Sequence, residues 1–223
     1  MDTRALKNLL YEQVARIGKA VSSPKRLELL ELLSQGEKTV EALSTELDAD
    51  IKLTSAHLKA LKDARLVASR REGKYMVYCI SGHDVATLCV SLRQVAEEHL
   101  LELRVALGQM AADPAKLISV NRETLLAQAK SGEIVVIDVR PGSEYREGHL
   151  PYARSIPLAE LELRIAELPA DKEVVAYCRG PFCVMSDEAV KLLSAHGLKV
   201  RKISDGVNEW QSAGLTLETG DVR

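Results

Sequence analysis

The sequence predicts two domains, a mostly helical one carrying a β-hairpin and then an α/β one. In the first half, apolar residues recur at the three- and four-residue spacing of amphipathic helices, as in Leu6, Leu10, Val14, Ile17 and Val21. Short runs on either side of Glu72-Gly73 read as a hairpin. In the second half, apolar runs such as Ile134-Val135-Val136-Ile137 stop abruptly at polar loops, the pattern of short buried strands. At 223 residues and 46% hydrophobic, the chain is long enough for two ordinary cores. They are placed at residues 1–110 and 118–223, with a linker at 111–117 in which Asp113-Pro114 ends the preceding helix.

No run approaches the roughly 18 apolar residues of a membrane span. Met1-Asp2-Thr3-Arg4 leads into an amphipathic helix and not a signal peptide. The expectation is a cytoplasmic protein with no membrane partner. In that setting Cys79, Cys89, Cys178 and Cys183 are reactive or incidental thiols and not a disulfide framework.

Taken in order, the first helix runs from about Thr3 to Val21. Ser23-Pro24 offers an N-cap with proline at the first helical position, opening a second helix through about Ser34. Thr39 caps a third, Val40 to Glu46, and Leu47-Asp48-Ala49-Asp50 turns the chain. Ile51 or Lys52 opens a fourth through Ala64. Residues Val67 to Arg71, the Glu72-Gly73 turn and Tyr75 to Ile80 form the hairpin. A long helix from about Asp84 to Met110 follows, with an apolar stripe of Val85, Leu88, Leu92, Val95, Leu100, Leu103 and Leu107.

The net charge of −2 conceals an asymmetry: Lys52 to Lys74 holds seven bases against two acids, so the remainder is acidic. A small basic face suffices for nucleic acid, because phosphate attraction is short-ranged at physiological salt. Two short helices joined by a tight turn, the second bearing Lys52, Thr54, Ser55, His57 and Lys59, have the layout of a helix-turn-helix. The hairpin then reads as a basic-tipped wing.

The passage from Ser23-Pro24-Lys25-Arg26-Leu27 through Leu53-Thr54-Ser55-Ala56-His57-Leu58-Lys59-Ala60-Leu61, with Leu66-Val67 and the wing, resembles the ArsR-type winged-helix repressors over roughly the first 105 residues. The resemblance implies a homodimer with the first and last helices at its interface. The stripe on the last helix is consistent with this, burial against its own domain being the alternative. The fourth helix is then expected in the major groove of double-stranded DNA, one per subunit, on a two-fold symmetric operator. Thr54, Ser55 and His57 would reach base edges, with local packing as the alternative for His57. Lys52, Lys59, Arg70, Arg71 and Lys74 would serve phosphates. Metal-sensing relatives use a cysteine motif in the third helix or paired Asp/His ligands on the last. The third helix here has no cysteine, and His83, Asp84, Glu98 and His99 do not complete the second pattern, so no metal and no cofactor are expected. Cys79 and Cys89 read as small apolar fillers, a thiol switch between them being the alternative.

The second half turns on Ala176-Tyr177-Cys178-Arg179-Gly180-Pro181-Phe182-Cys183-Val184-Met185-Ser186, where a strand ends in a cysteine and a tight loop enters a helix. Such a loop aims backbone N–H groups at one point, which favours thiolate over thiol. Ile134 to Arg140, Glu144-Tyr145-Arg146-Glu147-Gly148-His149-Leu150-Pro151-Tyr152-Ala153, Ser155-Ile156-Pro157 and Ser204-Asp205-Gly206-Val207-Asn208-Glu209-Trp210 accompany it. Together these motifs resemble the rhodanese domain over about Ile118 to Asp221. The resemblance implies an α/β fold with a parallel sheet and a Cys178 that takes sulfur from a small sulfane-sulfur donor. Backbone N–H groups of Arg179, Gly180, Phe182 and Cys183 would hold the anion. Arg179 would add charge if turned inward, a solvent-facing charge being the alternative, and Asp138, Arg140 and Glu144 would shape the floor and rim, structural ion pairs being the alternative.

The loop departs from the Cys-Arg-x-Gly-x-Arg form of that family at Pro181 and Cys183, so a basic group that would hold thiosulfate is missing. Cys183 instead offers a second thiol that either resolves a persulfide on Cys178 or plugs the loop. Val184 stands where phosphatase and arsenate-reductase variants need arginine, which disfavours oxyanion-ester hydrolysis. Two functions follow: a transcription repressor that couples reactive sulfur or redox state to DNA binding, or a sulfurtransferase using thiosulfate or a persulfide, whose winged helix serves localisation or dimerisation; a third reading makes the rhodanese fold an inert interaction module.

Overall fold

The computed structural model describes residues 2–110, 117–118 and 121–220. Residues 111–116 of the expected linker lie outside the described residues. The chain divides into two compact units, Met1–Cys89 and Val90–Arg223.

The first unit contains α1 (Thr3–Val21), α2 (Pro24–Ser34), β1 (Lys38–Thr39), α3 (Val40–Glu46), α4 (Ile51–Asp63), β2 (Val67–Glu72) and β3 (Tyr75–Ile80). Thr39 caps α3 by accepting from the Ala42 N–H at 3.2 Å. Asp50 caps α4 by accepting from Lys52 and Leu53 at 2.8 and 3.3 Å. Between them Asp48 takes a φ of +48°, a left-handed turn that aspartate tolerates better than most residues. Leu29, Leu30, Leu33, Leu43, Leu58 and Leu61 close the core. β2 and β3 pair antiparallel as the wing, and β1 adds a third strand through Lys38 opposite Tyr78. That two-residue strand carries no periodicity, so nothing in the sequence announces it.

The helix after the wing differs from its expectation. It is α5 (His83–His99) followed by α6 (Leu101–Met110), interrupted at Leu100. The Leu100 N–H still donates to the Ala96 carbonyl at 2.8 Å, so the interruption is confined to one residue; neither proline nor glycine marks it. Val85, Ala86 and Val90 are buried, whereas Leu88, Leu92, Val95, Leu100, Leu101 and Val105 are exposed.

The second unit, beyond the rest of α5 and α6, holds β4 (Leu117–Ile118), α7 (Arg122–Ser131), β5 (Ile134–Asp138), α8 (Gly142–Glu147), β6 (Arg154–Ser155), α9 (Leu158–Leu161), β7 (Glu173–Tyr177), α10 (Met185–Ala195), β8 (Val200–Ile203) and α11 (Val207–Ser212). The strands form one parallel sheet in the order β4-β8-β7-β5-β6. Parallel neighbours need crossovers, and helices laid over the sheet bury it on both faces. Strand alternation sorts the core. Val135, Ile137, Val174, Ala176 and Cys178 join α10 residues Ala189, Val190 and Leu193 on one face. Ile134, Val136, Val175 and Tyr177 meet Trp210 on the other. A one-residue slip of β7 would send Cys178 to the wrong face.

The Glu144–Ala153 motif folds on itself. Tyr145 donates its hydroxyl to the Ala153 carbonyl at 2.8 Å, and the buried His149 ring stacks on Tyr145 at 3.7 Å between centroids. Tyr152 adopts a φ of +66°, in the left-handed region that favours glycine. A left-handed non-glycine residue costs about 1–2 kcal/mol, and glycine gives back part of that through its floppier unfolded chain. Tyr152→Gly is therefore expected to raise stability by about 0.5–1 kcal/mol in urea unfolding, while Tyr152→Ala, which keeps Cβ, does not. A destabilised glycine variant would contradict this. Among the described residues no helix is long and apolar enough to cross a membrane.

Candidate functional site

β5 and β7 are hydrogen-bonded neighbours, so their C-terminal ends place Asp138 beside Tyr177. Asp138 and Arg140 are wholly buried and pair with each other, Nη2 to Oδ2 at 2.6 Å. Tyr177 donates its hydroxyl to Asp138 at 2.5 Å and accepts from the Leu150 N–H at 3.1 Å. Arg140 also donates to the Gly148 carbonyl at 2.7 Å. Burial opposes the Arg140 charge, but Asp138 more than reverses this and holds the guanidinium protonated. Burial and the adjacent Asp138 carboxylate push the Tyr177 phenol up. This cluster is a rigid floor beneath the loop, in keeping with the ion-pair alternative for Asp138 and Arg140.

Cys178 follows β7 and faces the start of α10 with 2% of its surface exposed. Burial by itself raises its thiol pKa. Hydrogen bonds from the Cys183 thiol, the Ser186 hydroxyl and the backbone N–H groups of Gly180 and Ser186 outweigh that and bring it down to about 7. The Ser186 Oγ stands 3.4 Å from Sγ. Cys183 shifts the other way, pushed up by its hydrogen bond to Cys178 and by burial, so the shared proton stays on Cys183.

Two expectations change here, and one contributor is new. The Cys183 N–H is spent inside the loop, donating to the Gly180 carbonyl at 3.1 Å, so it does not join an anion cradle. Ser186, the second residue of α10 and given no role from the sequence, supplies both a hydroxyl and an N–H. Arg179 turns to Glu144, donating from Nε at 2.9 Å, so its charge is engaged by a buried carboxylate. Gly180 has a φ of +150°, and a Cβ there would fall 3.1 Å from Glu209 Oε2. Gly206 lies so close to the Cys178 and Arg179 carbonyls that a Cβ would overlap them.

A folded-state pKa near 7, below the ordinary thiol value of 9.0, gives a defined pH dependence. The favourable thiolate interactions are complete above the ordinary value and are lost as pH falls through about 7. One hydrogen bond to an anion contributes about 1.5 kcal/mol, or roughly one pKa unit. Ser186→Ala should thus raise the midpoint of the Cys178 alkylation profile by about one unit and slow alkylation at pH 7 about fivefold. An unmoved midpoint would remove Ser186 from the site.

In the first unit, α4 exposes Lys52, Ser55 and Lys59 and half-buries His57. Arg71 and Lys74 are exposed near the wing tip. Arg70 pairs with Glu37 at 2.5 Å. Thr54 contradicts the expectation that it reaches base edges: it is fully buried and donates its hydroxyl to the Asp50 carbonyl at 3.0 Å. Four residues past the cap, it falls on the core side with Leu58 and Leu61. Cys89 packs against the first unit's core, as expected of a filler, and Cys79 is half-buried in β3.

A family model for the rhodanese-like domain matches residues 121–213, and one for bacterial regulatory proteins of the arsR family matches residues 23–69. The HTH-type transcriptional regulator Rv0324 of Mycobacterium tuberculosis is 44% identical over 214 residues, 96% of this chain and 94% of its own. A sulfurtransferase of Allochromatium vinosum is 29% identical over 90 residues, 40% of this chain and 82% of its own. The solution structure of the homodimeric winged helix-turn-helix DNA-binding domain of Mb0332 from Mycobacterium bovis is 45% identical, covering 46% of this chain and 93% of that one with a TM-score of 0.42. With a helix-turn-helix unit, a cysteine loop on a parallel sheet and a relative matched along nearly its whole length, the chain belongs to the ArsR-family HTH-type transcriptional regulators that carry a rhodanese-like domain.

Proposed function

We propose that this regulator is a DNA-binding repressor whose Cys178 accepts sulfane sulfur, and that loading changes its hold on the operator. The observation that carries the sulfur half is Cys178 itself, a cysteine held near half-ionisation at neutral pH by hydrogen bonds from its own loop and from α10. Its thiolate attacks the outer sulfur of a polysulfide, persulfide or thiosulfate. A new S–S bond forms, the donor's S–S bond breaks, and the departing thiolate or sulfite leaves with the electron pair. Cys183 then attacks the inner sulfur and expels the outer one as hydrosulfide, which takes up the Cys183 proton and leaves as hydrogen sulfide. The two cysteines are oxidised to a disulfide as the sulfane sulfur is reduced.

Burial favours this sensor reading over rapid turnover. With 2% of Cys178 exposed, a donor reaches Sγ only when the loop shifts, and Arg179, engaged by Glu144, offers no open charge to thiosulfate. Self-association through apolar faces belongs to the same reading. Leu6, Leu9, Leu10, Tyr11 and Val14 of α1, with Leu92 and Val95 of α5, stay exposed in the single chain.

The test follows operator binding and thiocyanate release after treatment with polysulfide, then with thiosulfate and cyanide. A changed operator affinity without brisk thiocyanate production supports the sensor; brisk production at unchanged affinity supports the sulfurtransferase alternative. The DNA half has its own check. Lys52→Ala with Lys59→Ala should lower the slope of log affinity against log salt by about two, one for each phosphate that is no longer neutralised. An unchanged slope would take α4 off the phosphates.

A further inference from the structure

Arg93 lies in the part of α5 that belongs to the second unit, and nothing so far explains it. Its side chain is 14% exposed, unusual for an arginine on a helix with a solvent-facing stripe. Nη1 meets Glu209 Oε1 at 2.9 Å, and Nε meets Glu97 one turn on at 3.0 Å, which orients the guanidinium. The same guanidinium lies over the Phe182 ring, 5.7 Å from its centroid. Phe182 stands on the Cys178 loop and is exposed.

Glu209 carries the interaction inward. Its side chain is 4% exposed, and its second oxygen accepts from the Gly206 N–H at 2.7 Å. Gly206 presses on the Cys178 and Arg179 carbonyls, and the Glu209 carboxylate packs tightly against Gly180, 3.1 Å from where a Cβ there would stand. Gly180 supplies one of the N–H groups that hold the Cys178 sulfur. One guanidinium therefore braces the loop twice, from outside through Phe182 and from behind through Glu209. A buried carboxylate stripped of its cation would be left uncompensated against the loop backbone.

We propose that Arg93 is a positioning residue: it latches the loop that shields Cys178, and a sulfur donor gains access by releasing that latch. α5 runs unbroken from His83 to His99, and its first turns place Val85 and Cys89 in the core behind the helix-turn-helix. Loop opening then pulls on the helix rooted in the DNA-binding unit. The coupling to DNA rests on the function proposed above; the latch itself does not.

The two are separated by two readouts on the full-length protein. The first is the alkylation rate of Cys178 by iodoacetamide on its high-pH plateau, where the thiol is fully ionised and the rate reports access alone, resolved by peptide mass spectrometry. Arg93→Ala should raise that plateau about fivefold, as removal of a modest coupling free energy does. Arg93→Lys, which keeps charge without the planar fork, should fall between. Phe182→Leu, at an exposed position that does not threaten folding, should also raise it. Plateaus within twofold of wild type for both Arg93→Ala and Phe182→Leu would overturn the latch. The second readout is the ratio of operator affinities before and after polysulfide. It should shrink towards one in Arg93→Ala; a ratio equal to that of wild type would overturn the transmission through α5. A wild-type protein with no polysulfide response would instead refute the sensor reading, and the plateau rates would still decide the latch.

Discussion

Cys178→Ser is expected to abolish sulfur loading at residue 178, cyanide-dependent thiocyanate release and the polysulfide response of operator binding together. A serine hydroxyl stays protonated at neutral pH, whereas the cysteine is about half thiolate there, and only the anion attacks sulfane sulfur. The substitution exchanges one polarizable sulfur for an oxygen in a site already lined by hydrogen-bond donors, so the fold should hold and operator affinity without sulfur should not change. If loading shifts operator affinity by the 5- to 150-fold span of ordinary allosteric coupling, roughly, that factor should fall to one. Cys183→Ser should behave differently, taking up sulfur but holding the persulfide longer, because the step that expels hydrosulfide is gone. An operator response that survives Cys178→Ser would move sensing away from the loop and make Cys79 and Cys89 the candidates.

The second large effect concerns stability. Asp138→Ala removes the carboxylate that pairs with the buried Arg140 guanidinium and deprives the Tyr177 hydroxyl of its acceptor. Breaking a buried pair from one side costs about 3–5 kcal/mol, because the remaining charge keeps its desolvation penalty and loses its compensation. For a unit of this size that lowers the melting temperature by about 10–20 °C. The double variant Asp138→Ala, Arg140→Leu should regain part of the loss, since replacing both charges by apolar groups is far cheaper than orphaning one. Calorimetry on the full-length protein decides it. A shift under about 2 °C in the single variant, well below what an orphaned buried charge costs, would mean that the pair does not hold the floor of the loop.

Much of the architecture was legible because it follows from short-range rules. The helices α1, α2 and α3 begin and end where apolar spacing, the Ser23-Pro24 start and the Thr39 cap place them. The strands around the cysteine loop stop where their apolar runs stop. What escaped has no local signature. β1 exists only because β3 offers it a partner, and the interruption at Leu100 carries no breaker residue. Thr54 looked like a reader of bases from its place near the start of α4, but which side of a short helix meets the core depends on the neighbours packed against it.

The sequence by itself determined a winged helix-turn-helix followed by a rhodanese-like domain, and it located the cysteine loop between a buried strand and a helix, since periodicity, caps and spaced motifs are written residue by residue. Tertiary structure alone decided how that loop is equipped. It brought Ser186 back to the sulfur, turned Arg179 to Glu144, buried Cys178 and set Arg93 against Phe182 and Glu209. Arg93 and Glu209 are 116 residues apart in the chain, so no local pattern encodes their meeting. Hydrogen bonds and ion pairs depend on distances in space, and a sequence records only the order in which their partners are strung.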